Sequence, residues 1–271
     1  MAAINTYYDN FFLENLIEDQ YTTHLDLNQF CTIDTTMTEG AGMTKKIHVY
    51  SATDGVEEVA IGVGNTTSIV ASYTEVPYTV KTLQGRFAYL DEEELSDPMI
   101  VTTGVNHLAT DMFNVTNSMI YDALGGATLA VSATTPDFDA FVDAAALLEY
   151  EQVDQGAPAM FALVNPADMA KVRKALADNL QYVESFARSG YVGSVAGINL
   201  FVSKLATENT ILGGTREAVK VFVKKGTEVE RYTKGNRASD DANTRTNWVY
   251  ARKYILPALV DETKAFKITL G

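Results

Sequence analysis

The side chains that could act in catalysis or bind a metal are few and lie far apart. The three histidines are His24, His48 and His107, and no two of them have the spacing of a metal-ligand pair. They fall in a terminal arm, a strand and a helix of the predicted fold, without the partners that general-base chemistry requires. We expect surface or packing roles for all three, and we nominate no catalytic, cofactor-binding or metal-binding residue.

An acidic run, Asp91-Glu92-Glu93-Glu94, is the best candidate for holding a hard cation. In calcium loops the carboxylates alternate with other residues and a glycine makes the sharp turn. This run is consecutive and contains no glycine. Carboxylates are also favoured near the positive end of a helix dipole. We therefore expect a solvated lead-in to a helix here, and no metal.

Two further motifs resemble a phosphate-binding loop and a nucleophile elbow, but the residues around them do not fit either kind of site. Gly190, Gly193 and Gly197 are spaced like a phosphate loop, but no Lys-Ser/Thr pair follows them and a strand comes next instead of a helix. Ser194 lacks the Gly-x-Ser-x-Gly pattern of a nucleophile elbow. The pair Lys224-Lys225 is too small a basic patch for DNA.

Composition sets the class of protein. The chain has 271 residues, 46% of them hydrophobic and 21% charged, which is typical of a folded protein. Its net charge of -14 argues against a nucleic-acid binder. Cys31 is the single cysteine, so an intrachain disulfide is excluded. With no signal-peptide pattern after Met1 and no apolar run of membrane-spanning length, we expect a soluble, intracellular protein.

A long helix organises the sequence. Ser96, Asp97 and Pro98 predict its start, and the pair Gly125-Gly126 predicts its end. About 27 residues between these signals would form a helix roughly 40 Å long, which we call the spine helix. Its predicted buried stripe is Val101, Val105, Leu108, Met112, Val115 and Met119. Many threonines and asparagines lie inside it, so packing along the stripe must hold it straight.

The remaining segments alternate between extended and helical patterns. Residues 1–30 form an arm rich in aromatic side chains, and residues 45–89 form a long β excursion that has little apolar mass of its own at its tip. After the spine helix we predict a polar stretch at 131–136 and a polar loop at 207–215. Helices are predicted at 137–153 and 167–180, and strands at 161–164, 198–203, 218–223, 247–254 and 265–268.

The order of these parts resembles a known family. The segments that carry the resemblance are Leu90-Asp91-Glu92-Glu93-Glu94-Leu95 before the spine helix, Phe161-Ala162-Leu163-Val164-Asn165-Pro166-Ala167-Asp168, and the glycine-then-strand segment from Gly193 to Ser203. Together they are similar to the major capsid proteins of tailed bacteriophages, which have the Hong Kong 97-type fold. No single motif is diagnostic; the resemblance rests on order and spacing over nearly the whole chain.

The resemblance implies an α+β capsid fold with five consecutive parts. These are an N-terminal arm at 1–42, an extended β loop at 43–90, a peripheral domain containing the spine helix at 91–130, an axial domain at 131–232, and the closing strands of the peripheral domain at 233–271. It further implies a structural protein, not an enzyme, that self-assembles into an icosahedral head around double-stranded DNA.

The partners implied are further copies of the same chain, as pentamers and hexamers, together with a portal and decoration proteins. Because the arm is short and the chain begins at Met1, we expect scaffolding to come from a separate protein. The resemblance implies assembly in the host bacterial cytoplasm, residence in the virion, and no membrane or cofactor. Some members crosslink Lys to Asn, for which the candidates would be Lys45, Lys46, Lys81, Asn236, Asn243 and Asn247.

Two alternatives stay open at this point. An encapsulin-like bacterial compartment has the same fold and would hold a cargo enzyme. A soluble α/β enzyme would form a small oligomer around a convergent polar pocket, and we find no residues that nominate one.

Overall fold

The computed structural model describes residues 25–39, 42–148, 159–177 and 193–271. Most of the predicted N-terminal arm, His24, Gly190 and the predicted ends of two helices, at 149–153 and 178–180, lie outside these residues. The strands are β1 Thr32–Asp34, β2 Thr44–Ala52, β3 Ala71–Thr79, β4 Lys81–Leu90, β5 Leu129–Ala133, β6 Met160–Val164, β7 Ser194–Val195, β8 Ile198–Val202, β9 Thr210–Thr215, β10 Val219–Tyr232, β11 Thr246–Leu259 and β12 Ala265–Leu270.

The described helices include one that is much longer than the rest. They are α1 Asp91–Ser96, α2 Met99–Leu124, α3 Phe138–Ala146, α4 Pro166–Ala175 and α5 Ser239–Thr244, with 3-10 turns at Leu27–Phe30, Lys234–Asn236 and Glu262–Lys264. The 26-residue α2 is the predicted spine helix. None of the described helices is long and apolar enough to cross a membrane.

The described strands form three sheets. A four-stranded sheet has the order β1-β10-β11-β4, a six-stranded sheet has the order β5-β12-β9-β6-β8-β7, and β2 and β3 form a separate antiparallel hairpin. The spine helix packs on one face of the four-stranded sheet through residues of β4, β10 and β11. Strand β10 lies in the four-stranded sheet although the predicted boundaries assign it to the axial domain, and those boundaries stay a prediction.

The start of the spine helix differs from the prediction. Ser96 does not cap it but ends the preceding helix α1, which begins with the Glu93 carboxylate accepting the Leu90 N–H at 2.9 Å. Asp97 is extended because the residue before a proline avoids the helical conformation. Its carboxylate then accepts the Met99 N–H at 2.9 Å and opens the spine helix.

The buried stripe of the spine helix is confirmed in its first half and wrong in its second. Val101, Val105, Leu108 and Met112 are buried, whereas Val115 is 42% exposed and Met119 is half-buried. The buried face instead continues in steps of four through Thr116, Ile120 and Leu124. Thr116 tolerates burial because its hydroxyl donates to the Met112 carbonyl at 2.8 Å.

Two close approaches set the distance between the spine helix and strand β4. A Cβ added to Gly104 of the helix would overlap the ring of Phe87, and one added to Gly85 of the strand would overlap the side chain of Leu108. Because neither glycine has a side chain, Phe87 packs against the helix backbone at Gly104 and Leu108 packs against the strand backbone at Gly85. The sheet and helix interlock as a result.

The six-stranded sheet contains three strands that the sequence does not predict, β5, β7 and β9. The predicted polar loop at 207–215 is strand β9, which lies between β6 and β12 with Gly213 and Gly214 buried. A Cβ on Gly213 would lie 2.4 Å from the Phe161 carbonyl oxygen in a neighbouring strand, so only glycine fits. The predicted polar stretch at 131–136 overlaps β5, which forms because it pairs in parallel with β12.

The helix predicted at 137–153 begins as expected and packs against the six-stranded sheet. Asp137 caps α3 by accepting the Ala140 N–H at 3.0 Å. Phe141, Ala144 and Leu148 are buried, whereas Phe138 is 48% exposed. Phe138 is the first residue of the helix and is not part of the core cluster that contains Phe141.

Candidate assembly surfaces

The side chains considered for catalysis are not brought together. His107 is exposed on the spine helix, where it lines a cleft of about 570 Å³ with Arg86, Leu108 and Asp111. His48 lies on β2, with its Nε2 3.3 Å from a carboxylate oxygen of Glu75. Within the described ranges, no group of three or more His, Cys, Asp or Glu side chains could hold a metal ion.

The acidic run before the spine helix is only partly a solvated lead-in. The Asp91 carboxylate accepts hydrogen bonds from the Arg237 guanidinium and, at 2.8 Å, from the Asn247 amide. Arg237 Nε also donates to Asn247 Oδ1 at 3.0 Å, and the Arg237 side chain is only 7% exposed. For Asp91 the expectation is therefore wrong, because this carboxylate neutralises a buried arginine and ties α1 to β11.

The glycine-spaced segment forms a tight hairpin turn. Val195 and Ile198 pair across Ala196 and Gly197, which both have positive φ, at 50° and 81°. Two consecutive left-handed residues are what the two-residue turn of a β-hairpin requires. Gly197 thus has a conformational role within the described part of this segment.

Three of the basic residues considered for DNA binding or crosslinking have partners inside the chain. Lys224 donates to the Met37 carbonyl at 2.9 Å, and Lys225 pairs with Glu228 at 2.8 Å. Hydrogen bonding to Glu228 raises the pKa of Lys225. Lys46 pairs with Glu75 at 2.7 Å, which lowers the pKa of that carboxyl. Asn247 is 1% exposed and hydrogen-bonded, so this fold does not present it for crosslinking.

The β2–β3 hairpin projects from the rest of the chain. At its base, the Tyr78 hydroxyl donates to the Leu259 carbonyl at 3.2 Å and the Val80 N–H donates to the Met43 carbonyl at 2.7 Å. Its far end, residues 53–70, which we call the tip loop, buries none of its large apolar side chains. Those at least 44% exposed are Val56, Val59, Ile61, Val63, Ile69 and Val70.

The tip loop is nonetheless internally ordered. The Glu57 carboxylate accepts the Thr66 N–H at 2.6 Å, and the Asn65 amide donates to the Gly55 carbonyl at 2.9 Å. Gly62 adopts a positive φ of 87° in a turn of this loop. An ordered loop with an exposed apolar surface loses little entropy when it binds, which suits it to contact another protein.

A second contact element is the segment at 25–34, the last part of the predicted arm. Leu27, Phe30 and Cys31 are buried where the spine helix, the six-stranded sheet and β10 meet. The ring of Phe30 lies 4.7 Å from that of Phe161 and 4.6 Å from that of Phe201. This part of the arm therefore lies on the chain's own body.

Asn117 of the spine helix fixes this segment, and sequence reasoning missed it. The side chain is 2% exposed, accepts the Leu27 N–H at 3.1 Å and donates to the Leu25 carbonyl at 3.1 Å. The sequence does not indicate this role for an asparagine inside a helix, because the role depends on which segment packs opposite it in the fold. The residue appears in the sequence merely as a weak helix former.

The exposed face of the four-stranded sheet carries the other group that the sequence does not reveal. The guanidinium of Arg86 lies 5.0 Å from the ring of Trp248, which stacks on Tyr250 at 6.0 Å. Tyr232 and Arg252 complete this set around Tyr250, at 5.7 and 6.0 Å. We call these five side chains the Trp248 face. They come from three strands, so only strand register brings them together.

Comparison with known proteins identifies the fold. No family model matches the chain. It is 24% identical over 266 residues to the major capsid protein of Staphylococcus phage phiMR11, covering 96% of this chain and 92% of that protein. It is also similar to the capsid of a native GTA particle (TM-score 0.68, 13% identity, 91% and 90% of the two chains) and to that of cyanophage P-SCSP1u (0.64, 14%, 89% and 86%). The chain therefore has the α+β Hong Kong 97-type capsid fold, and its predicted resemblance to tailed-phage major capsid proteins is confirmed.

Proposed function

We propose that this chain is the major capsid protein of a tailed bacteriophage, and that many copies of it form the icosahedral head. The observation that carries the proposal is the projecting hairpin, whose ordered tip loop exposes its apolar side chains. A two-stranded hairpin with no core of its own is marginal in water. Contact with neighbouring copies in a closed shell would bury these side chains and stabilise the hairpin.

The predicted parts acquire roles in this shell. The extended loop at 43–90 contacts a neighbouring subunit, the peripheral domain at 91–130 and 233–271 forms the outer part of each capsomer, and the axial domain at 131–232 lies at capsomer centres. The arm at 1–42 contributes through its anchored part at 25–34. Pentamers and hexamers of the chain are the building units.

The chain acts as a structural protein and not as an enzyme. It encloses double-stranded DNA without reading its sequence, consistent with a net charge of -14 that does not favour phosphate contacts. The finished shell belongs to the virion and is assembled in the host bacterial cytoplasm, with a separate scaffolding protein, a portal and decoration proteins as further partners. A bacterial compartment shell is the less favoured hypothesis, because the chain is similar in sequence to the major capsid protein of Staphylococcus phage phiMR11.

The proposal is tested by removing the tip loop alone. Replacing residues 54–69 by an Asn-Gly turn joins Thr53 to Val70, which already face each other through a 3.1 Å hydrogen bond. We expect the variant to keep the urea unfolding midpoint of the parent chain and to lose all rapidly sedimenting particles. Shells of normal size from the variant would remove the support that the hairpin gives to the proposal.

A further inference from the structure

A cleft of about 570 Å³ lies along the N-terminal half of the spine helix, between that helix and strand β4. Phe87 and Leu108 give it an apolar lining, whereas His107, Asp111 and Asn114 line it with exposed polar side chains. Strand β4 is at the edge of its sheet, and among the described strands it pairs only with β11. A groove that combines apolar side chains with an edge strand is suited to bind a peptide segment.

The described part of the N-terminal arm begins beside this cleft. Asn117 holds the Leu25 carbonyl and the Leu27 N–H. Asn114, at one end of the cleft, is three residues before Asn117 and therefore lies one turn away on the same side of the helix. The residues from Leu27 onward pack with Leu124, toward the C-terminal end of the helix. In the opposite direction, the chain before Leu25 leads back toward the cleft.

The length of chain before Leu25 is sufficient to fill the cleft. Gly104, at the far end of the cleft, is 13 residues from Asn117, a distance of about 20 Å along the helix axis. An extended segment covers this distance with about six residues, and a helical one with about 13. Twenty-four residues precede Leu25 in the sequence. The arm of the same chain can therefore reach all of the cleft in either conformation.

The composition of residues 1–24 complements the cleft. The segment contains no lysine or arginine, and its four carboxylates alternate with apolar and aromatic side chains. Its apolar side chains nearest to Leu25 are those of Phe11, Phe12, Leu13, Leu16, Ile17 and Tyr21. The titratable side chains that line the cleft are Arg86, His107 and a single carboxylate, Asp111. An acidic, aromatic segment thus matches an apolar cleft that carries an arginine.

We propose that residues 11–24 dock in the cleft of the same chain. This inference goes beyond the proposed function and does not depend on it. Ile17 and its apolar neighbours pack on Phe87 and Leu108, and the carboxylates of the segment lie on the side of Arg86. The arm then forms one continuous strap along the spine helix, in which the hydrogen bonds of Asn117 fix the middle and the cleft holds the first part.

Photo-crosslinking of the unassembled full-length chain tests the contact directly. Benzoylphenylalanine is placed at Ile17, and the chain is mixed at low concentration with chains labelled with heavy isotopes, irradiated, and digested with a protease that cuts after Asp and Glu. We expect crosslinks within single light chains that map to peptide 95–111 or peptide 76–91, which contain the cleft residues. Benzoylphenylalanine at Val142, an exposed position on α3, is the control and should label neither peptide.

Filling the cleft should displace the segment. His107→Trp places a large ring in the cleft and should lower the yield of the Ile17 crosslink at least about fivefold. Asp122→Trp, at an exposed position of the same helix outside the cleft, is the matched control and should keep the yield of the parent chain. Both positions are exposed, so both variants should keep the circular dichroism spectrum of the parent chain.

Limited proteolysis gives a second readout. Chymotrypsin should cut after Tyr21 at least about fivefold faster in His107→Trp than in the parent chain or in Asp122→Trp, because docking keeps the segment from the protease. Equal rates of cleavage in all three chains would overturn the proposal. So would Ile17 crosslinks that map to other peptides, or that join light chains to heavy ones. None of these results would affect the capsid role, which is judged by the formation of shells.

Discussion

Asn117 holds the backbone of Leu27 against the middle of the spine helix. Its amide oxygen accepts the Leu27 N–H at 3.1 Å and its amide nitrogen donates to the Leu25 carbonyl at 3.1 Å, in a site that is almost fully buried. One side chain thus satisfies two backbone groups that water does not reach. The position of the N-terminal segment depends on it.

Replacing this side chain should destabilise the chain strongly. Asn117→Ala leaves a buried donor and a buried acceptor without partners, so we expect a loss of about 2–4 kcal/mol in the free energy of unfolding, measured with urea. Asn114→Ala, at an exposed position of the same helix, is the control and should change it by less than about 0.5 kcal/mol. Equal effects at the two positions would show that the hydrogen bonds of Asn117 to Leu27 and Leu25 do not stabilise the fold.

Gly104 should respond to alanine with the opposite sign to an ordinary helical glycine. In an open helix, Gly→Ala stabilises by about 0.5–1 kcal/mol. At Gly104 the added methyl overlaps the Phe87 ring, so we expect Gly104→Ala to destabilise by about 1–3 kcal/mol in thermal unfolding. In a Phe87→Ala background the same substitution should cost much less. A stabilising effect in the parent chain would mean that the helix and β4 are not in close contact.

Within the acidic run, we expect the Asp91 carboxylate to stabilise the fold and the Glu92 carboxylate to contribute little. Asp91→Ala leaves the nearly buried Arg237 guanidinium without its counter-charge, and we expect a loss of about 2–3 kcal/mol in urea unfolding. Glu92→Ala removes only an exposed pair with Arg245 at 3.7 Å and should cost less than about 0.5 kcal/mol. The prediction fails if the two substitutions have the same effect.

Alkaline pH should destabilise the fold through Cys31. Burial raises the pKa of this thiol from an ordinary value of 9.0 to about 12. Because the folded chain keeps the proton that the unfolded chain releases, stability is complete below pH 9 and falls as the pH rises toward 12. Between pH 9 and 11 the loss should reach about 2–3 kcal/mol.

The comparison with Cys31→Ala isolates the thiol in that experiment. Other groups that titrate at alkaline pH, such as tyrosines and lysines, contribute equally to both chains. The free energy of unfolding of the parent should therefore fall more steeply between pH 9 and 11 than that of the variant. Parallel curves would show that the thiol titrates normally and that the segment at 25–34 does not keep it buried.

The sequence predicts those helices and strands that depend on a local pattern of apolar residues, and it misses those that depend on pairing with distant strands. The spine helix, the hairpin and strand β6 are confirmed because their patterns of apolar residues are set by residues close together in the sequence. Strands β5 and β9 are missed because their polar and glycine-rich sequences become strands only by pairing with β12 and β6. Glycine does not indicate a strand. It is needed at position 213 because Phe161 and Phe266 leave no room for a Cβ atom.

The candidate assembly surfaces likewise include features that the sequence predicts and features that it does not. The projecting hairpin is predictable from its local strand pattern, but the apolar surface of its tip loop is not, since the sequence predicts little apolar mass there and the structure exposes six large apolar side chains. The Trp248 face is not predictable either, since Arg86 and Trp248 are 162 residues apart and meet through strand register alone. Asn117 and Asp91 likewise gain their roles from partners distant in sequence.

The most direct test of the capsid role is electron microscopy of the purified chain in negative stain, with light scattering to measure particle mass. The capsid role requires that the parent chain form closed shells of uniform diameter, or rings of five and six subunits. A uniform population of monomers or dimers, unchanged at high protein concentration and in the presence of a scaffolding protein, would contradict it.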